Sequence, residues 1–295
     1  MGHVKGVRKS KRAAGIRVGG YVVPAQIAVS ALLALIYLVL LAGSTAQPGS
    51  DALILRATSF AAFALLAYAV RSGLRRRMGI YARLIDAFLA LSAAALLWDV
   101  AAFLGFHPAW ATGMVRPMAA GLGSLAIALA LIAALLYVEK DRPAGIGLQA
   151  GDLGNGLNYS VPVLLCGAAV SVLAVSYLDE ASPAAIVALL ATAVAVAAAV
   201  ELWFRGLLLS RLLPVAGVAA GFAIQAIVAG AFEASIFYVM TSSTTYALAV
   251  LAISAVLGLV WAWSVRKTSS IIPAAVSHAG VAAVLLLPAF FSIGL

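Results

Sequence analysis

The chain has 295 residues, 65% of them hydrophobic and 10% charged, with a formal net charge of +9 and a mean hydropathy of +1.12. A soluble domain carries about 25% charged residues, so this composition excludes a water-facing globular surface, and most of the chain must face lipid. The single cysteine, Cys166, lies in an apolar run and excludes an internal disulfide.

Residues 1–20 form a basic tail holding His3, Lys5, Arg8, Lys9, Lys11, Arg12 and Arg17. A basic segment ahead of an apolar run can be a cleaved signal peptide. The run 21–43 is about twice the usual length of a signal core, so it reads as a retained first span. A spanning helix needs roughly 20 apolar residues. Further runs of that kind are 53–70, 84–106 and 117–138, which complete an N-terminal four-helix part over 21–138. Arg71, Arg75, Arg76, Arg77 and Arg83 crowd the loop after the second run. Asp86, beside Arg83, reads as a helix-start residue, and Asp99 is expected to pair with Arg56.

Residues 139–158 are polar and hold Pro143 with Gly145, Gly147, Gly151, Gly154 and Gly156, which reads as a cytoplasmic linker. The runs 159–178, 183–209, 218–239, 246–265 and 271–291 follow and form a C-terminal bundle over 159–295. Backbone groups in hydrocarbon must be satisfied within each segment, so these runs are helices. The expected fold is all-α, a polytopic transmembrane bundle of about nine spans. Its small residues allow close approach of helix backbones.

Charge gives the orientation. The basic tail, the arginine loop, Lys140 with Arg142, Arg205 with Arg211, and Arg266 with Lys267 fall on one side, whereas the opposite loops carry Asp51, Asp179 and Glu180. The excess of cations places the N-terminus in the cytoplasm of a multi-pass protein integral to the cell membrane. The basic segments are short and lack interleaved aromatics, so membrane lipid is the expected partner and nucleic acid is not. The Trp and Tyr residues read as interfacial anchors or packing.

Ionisable groups inside a membrane are costly and are candidates for function. Asp86, Asp99, Glu201, Arg205, Glu233 and His278 are the ones present. Glu201 and Arg205 are four apart and share a helix face. That pair reads either as a structural ion pair or as a base with its positioning cation. His278 follows Pro273 in the last apolar run and reads as a packing histidine or as part of a site. Glu233 reads as a glutamate hydrogen-bonded to a neighbouring helix or as a second carboxylate of the same site.

Three stretches carry a resemblance: Val200-Glu201-Leu202-Trp203-Phe204-Arg205-Gly206, Phe232-Glu233-Ala234-Ser235-Ile236, and Ser270 through His278. Together they resemble the motifs of the CPBP intramembrane protease family, which includes the CAAX prenyl endopeptidases and Abi-like bacteriocin-processing or immunity proteins. The likeness spans about 145–291 and includes the entry into the first core helix at Gly147 through Asn158. It implies a CPBP-like core within 159–295. It also implies peptide-bond hydrolysis with Glu201, Glu233 and His278 as the catalytic candidates and Arg205, Phe232 and Ser270 in support. The family pattern is EExxxR, FxxxH and HxxxN. Here its first glutamate falls on Val200, its second-motif histidine on Ile236 and its asparagine on Ala282. Those side chains neither accept nor donate protons nor bind metal.

Two carboxylates and one imidazole can hold a metal or activate water. An active site would use zinc, with His278 and Glu201 as ligands. Counting residues from the cytoplasmic ends sets Glu233 at a different depth from Glu201 and His278. The expected function is therefore a protease-like membrane protein with a degenerate site and impaired hydrolysis. An active endopeptidase with a rearranged Glu/His site, a scaffold for a membrane-anchored peptide or protein, and a transporter-like protein are the alternatives.

Overall fold

A computed structural model describes residues 15–18, 21–46, 50–72, 81–101, 115–176, 182–241 and 243–287. Two short strands, β1 (Gly15–Val18) and β2 (Tyr21–Pro24), pair antiparallel with Val18 opposite Tyr21 and Gly15 opposite Pro24. The first span therefore starts later than its apolar run. Val22 and Val23 favour extended backbone, and Pro24 disfavours helix at the residue before it.

The helices are α1 (Ala25–Ala46), α2 (Ser50–Ser72), α3 (Ala82–Ala101), α4 (Val115–Glu139) and α5 (Leu153–Ser176). They continue with α6 (Pro183–Val200), a π-helical segment (Glu201–Leu208) and α7 (Leu209–Ala216), which run on as one rod. The last three are α8 (Val218–Thr241), α9 (Thr244–Thr268) and α10 (Ile272–Leu285). Each expected span falls on one of these stretches. Five segments are long and apolar enough to cross a bilayer: Gly121–Glu139, Leu153–Val175, Pro183–Ala216, Val218–Tyr238 and Thr244–Thr268. Large apolar side chains such as Leu65, Val187 and Val256 point outward. The protein is an all-α membrane helical bundle, with the small hairpin as its one departure among the described residues.

Capping explains several starts. The Ser182 hydroxyl accepts from the Ala185 amide at 3.2 Å with Pro183 in the first turn, and Ser243 accepts from Tyr246 at 3.2 Å. The first core helix begins at Leu153, earlier than the apolar run that starts at 159. Asp152 caps it: one carboxylate oxygen accepts from the Asn155 amide at 3.4 Å and the other from its side chain at 2.7 Å. The expected linker is largely ordered. A 3-10 turn at Pro143–Ile146 buries Ile146 and ends on Gly147 at φ 75°. The Gly147 carbonyl accepts from Ile271 at 3.1 Å, and the Asp152 amide donates to Thr268 at 2.9 Å. These bonds pin the connection to the α9–α10 junction.

One apolar core joins the two halves of the chain. Tyr37, Phe63, Phe88 and Ile132 from α1–α4 share it with Phe204, Leu207 and Leu208 of the π segment. A second core holds Val175, Leu189, Phe237, Val250 and Leu285, where the Tyr246 hydroxyl donates to the Leu285 carbonyl at 2.9 Å.

Two charged residues differ from expectation. Arg211 is buried within the rod rather than lying at a headgroup surface, because it has acidic partners inside the protein. Asp86 is buried one turn into α3 rather than capping it, since its neighbours Leu84, Ile85 and Phe88 face the core. The side chain of Asp99 lies outside the described residues, and so does its expected pairing with Arg56.

Arg211 binds Glu139 and, at 2.9 Å, Asp141, which Arg83 also meets at 3.4 Å. The hydrogen bond from Arg211, then the Arg142 amide and the nearby cations, hold the Asp141 carboxyl below its ordinary value of 3.8 against the effect of burial. A carboxyl depressed in the folded state stabilises the fold above the unfolded value and loses that contribution as pH falls through the folded value. Melting temperature should therefore drop on acidification below about pH 4 more steeply in the wild type than in Asp141→Asn. Parallel slopes in thermal scans of the two proteins would contradict this.

Candidate active site

The rod places Glu201 and Arg205 at the centre of the bundle, where all eight residues of the π segment are buried. Its widened turn is closed by the Leu209 amide donating to the Phe204 carbonyl, a geometry that often marks functional positions. Glu201 is 0% exposed and Arg205 1%, and their side chains pair at 3.1 Å.

From α10, His278 brings its Nδ1 to 2.8 Å from Glu201 Oε1, the oxygen that Arg205 also meets. From α8, Glu233 brings Oε2 to 3.7 Å from His278 Nε2. The depth mismatch suggested by counting is absent. The Ser254 hydroxyl on α9 donates to the same Glu233 oxygen at 2.7 Å. Glu233 thus both bonds a neighbouring helix and faces the histidine. The Trp261 ring stacks on His278 at 4.2 Å between centroids and lies under Arg205 at 5.0 Å.

The three catalytic candidates therefore converge in one buried polar array. Phe232 lies beside them, packed on Phe204 at 5.2 Å. Ser270 is more remote. Its hydroxyl accepts from the Ile272 amide at 3.3 Å and its carbonyl from Thr268 at 3.0 Å, so it shapes the start of α10. Two participants were not among the sequence candidates for the site: Ser254, and Trp261, which was read with the other tryptophans as an anchor or packing. With Gly258 they form a buried stripe on α9 at i, i+4 and i+7. A polar and an aromatic residue at that spacing in an aliphatic helix were the available signal.

Residues 182–284 match the family model described as Rce1-like, type II CAAX prenyl endopeptidase. This stretch is similar to that family. The match covers the rod, α8, α9 and almost all of α10, and begins after the Gly147–Asn158 entry segment. No curated protein and no solved structure matches the chain.

Among the described residues the donors of this site are not grouped around a metal position. Glu201 Oε1 is engaged by His278 and Arg205 and Glu233 Oε2 by Ser254, while Glu201 Oε2 and Glu233 Oε1 have no hydrogen-bond partner. Among the described residues, no group of three or more His, Cys, Asp or Glu side chains is placed to hold a metal ion. His278 and Glu201 point at each other rather than at a common centre.

Proposed function

We propose that this Rce1-like membrane protein receives a membrane-anchored peptide or protein and hydrolyses peptide bonds poorly or not at all. The supporting observation is that both ring nitrogens of His278 face carboxylates, Glu201 at 2.8 Å and Glu233 at 3.7 Å. The imidazole is spent on internal partners and is not presented to a substrate. Val200, Ile236 and Ala282 stand where the family pattern has proton-transferring or hydrogen-bonding groups. Ile236 is 36% exposed, on the outer part of α8. Loss of general-base catalysis removes about 10²–10⁴ in rate, and loss of an oxyanion donor about 10²–10³. In this reading the chain crosses the cell membrane nine times with its N-terminus in the cytoplasm.

A second reading, an active endopeptidase, has one observation in its favour. The 3.7 Å separation of His278 Nε2 and Glu233 Oε2 exceeds a direct hydrogen bond, so a water could bridge the two. Glu233 would then take the proton as water attacks the carbonyl, and His278 would stabilise the oxyanion. A transporter finds less support, since the polar groups form one cluster rather than a succession.

The test uses a fluorescent prenylated peptide with the purified protein in lipid nanodiscs, with and without chelator, alongside Glu201→Gln and His278→Ala. Saturable binding without product, unaffected by chelator, is the outcome the first reading requires. Product formation that both substitutions abolish establishes the second.

A further inference from the structure

The outward face of α9 ends in a different chemistry from the rest of its length. Val256, Val260 and Trp263 are 63%, 50% and 51% exposed. With Lys267 they fall at i, i+4, i+7 and i+11, one stripe along the helix. The aliphatic part of such a stripe faces lipid chains. Its last two members differ, because the Lys267 ammonium lies 6.0 Å over the Trp263 ring, within cation–π range. Arg266 is beside it, and both cations are exposed in the last turn of the helix. An indole with a cation above it suits the level where hydrocarbon gives way to headgroups.

The corner that carries these groups is pinned, and its charge is not neutralised. The Asp152 amide donates to the Thr268 carbonyl at 2.9 Å and the Gln149 side chain to the Ser269 carbonyl at 2.8 Å, which fixes the chain directly after Lys267. Tyr159 on α5 is 36% exposed and shares a hydrogen bond with the buried Ser264 hydroxyl, so a second half-exposed ring stands on the neighbouring helix beside Trp263. Neither α5, α9 nor α10 contains an acidic residue. The Asp152 carboxylate, just ahead of α5, accepts from the Asn155 amide at 3.4 Å and its side chain at 2.7 Å. Asp141 is engaged by Arg211 and Arg83. Among the described residues, Arg266 and Lys267 have no carboxylate partner.

We propose that this corner binds one anionic phospholipid, with its headgroup on Lys267 and Arg266 and an acyl chain along Trp263, Val260 and Val256. One such molecule makes charge-assisted hydrogen bonds at its head and apolar contact along its tail. A zwitterionic lipid offers the same chains, but it carries its own cation and gains less from two unpaired basic groups. Seating the ammonium over the indole reduces the side-chain freedom lost when the headgroup binds. The site lies on the outer face of α9, apart from the polar cluster, and holds whichever reading of that cluster is right.

The test is native mass spectrometry of the delipidated full chain in neutral detergent, titrated with phosphatidylglycerol or with phosphatidylcholine of the same acyl chains. A basic residue at an anionic surface contributes about fivefold in affinity. The first phosphatidylglycerol should therefore bind about tenfold or more tightly than the first phosphatidylcholine. The double variant Arg266→Gln/Lys267→Gln should erase that preference. Trp263→Leu keeps an apolar side chain but removes the ring under the ammonium, and should weaken phosphatidylglycerol about threefold. Lys140→Gln removes an exposed cation just beyond α4 and should leave the preference intact. All four positions are exposed, so a lipid-free melting temperature equal to that of the wild type separates lost binding from lost fold. Equal affinity of the wild type for the two lipids, a preference retained in the double variant, or one lost equally in Lys140→Gln would overturn the proposal.

Discussion

Glu201→Ala should lower the unfolding free energy by about 3–5 kcal/mol, the cost of leaving a buried charge without its partner. Arg205 is 1% exposed and meets Glu201 at 3.1 Å, and it cannot reach water when that carboxylate is removed. His278 loses its 2.8 Å bond to the same oxygen, so two side chains from two helices are stranded by one truncation. Denaturant unfolding in detergent micelles reads the loss. The double variant Glu201→Leu/Arg205→Met should recover most of it, because well-packed apolar residues replace buried ion pairs at little net cost. A change below about 1 kcal/mol in Glu201→Ala, the range of an exposed pair, would show that water reaches the array.

Gly280→Ala should cost about 3 kcal/mol or more, at or beyond the upper end of ordinary overpacking. A Cβ there would lie 2.5 Å from the Val163 carbonyl oxygen and 2.6 Å from the Leu164 Cα. The opposing Gly167 would place its own Cβ 2.0 Å from the Gly280 carbonyl oxygen. Backbone meets backbone at this crossing of α5 and α10, so no flexible side chain can give way, and α10 must shift with His278 two residues earlier in the chain. Gly154→Ala is the control. A Cβ at Gly154 meets nothing within 4 Å, so the change should be neutral or slightly stabilising. Equal melting temperatures for the two variants would contradict the close approach.

The helices were legible because roughly 20 apolar residues in a row have few alternatives in lipid. Polar cues at their ends were less so. Asp152 caps α5 ahead of its apolar run, and Pro24 with two valines converts the start of the first run into a strand. The Glu201–Arg205 pair was legible as i, i+4. The π-helical turn that carries it was not, since a widened turn keeps the same pair in contact and leaves no mark in the residue pattern. Glu233 seemed misplaced because counting from the ends assumes parallel helices that start at equal depth. The observed arrangement brings its side chain to 3.7 Å from His278. Arg211 was misread for a related reason. A cation near a helix end looks topogenic until Glu139 and Asp141 arrive from α4 and the turn beyond it.

The central claim is that His278 is held between Glu201 and Glu233 and is not presented to a scissile peptide. Its most direct test is the single-turnover rate at which excess protein, in nanodiscs, converts a prenylated peptide to product, compared between wild type and His278→Ala. Both should be indistinguishable from protein-free nanodiscs over hours. A wild-type rate well above that background, lost in His278→Ala while the variant still binds peptide, would mean that the histidine works on substrate and that the array is a functioning active site.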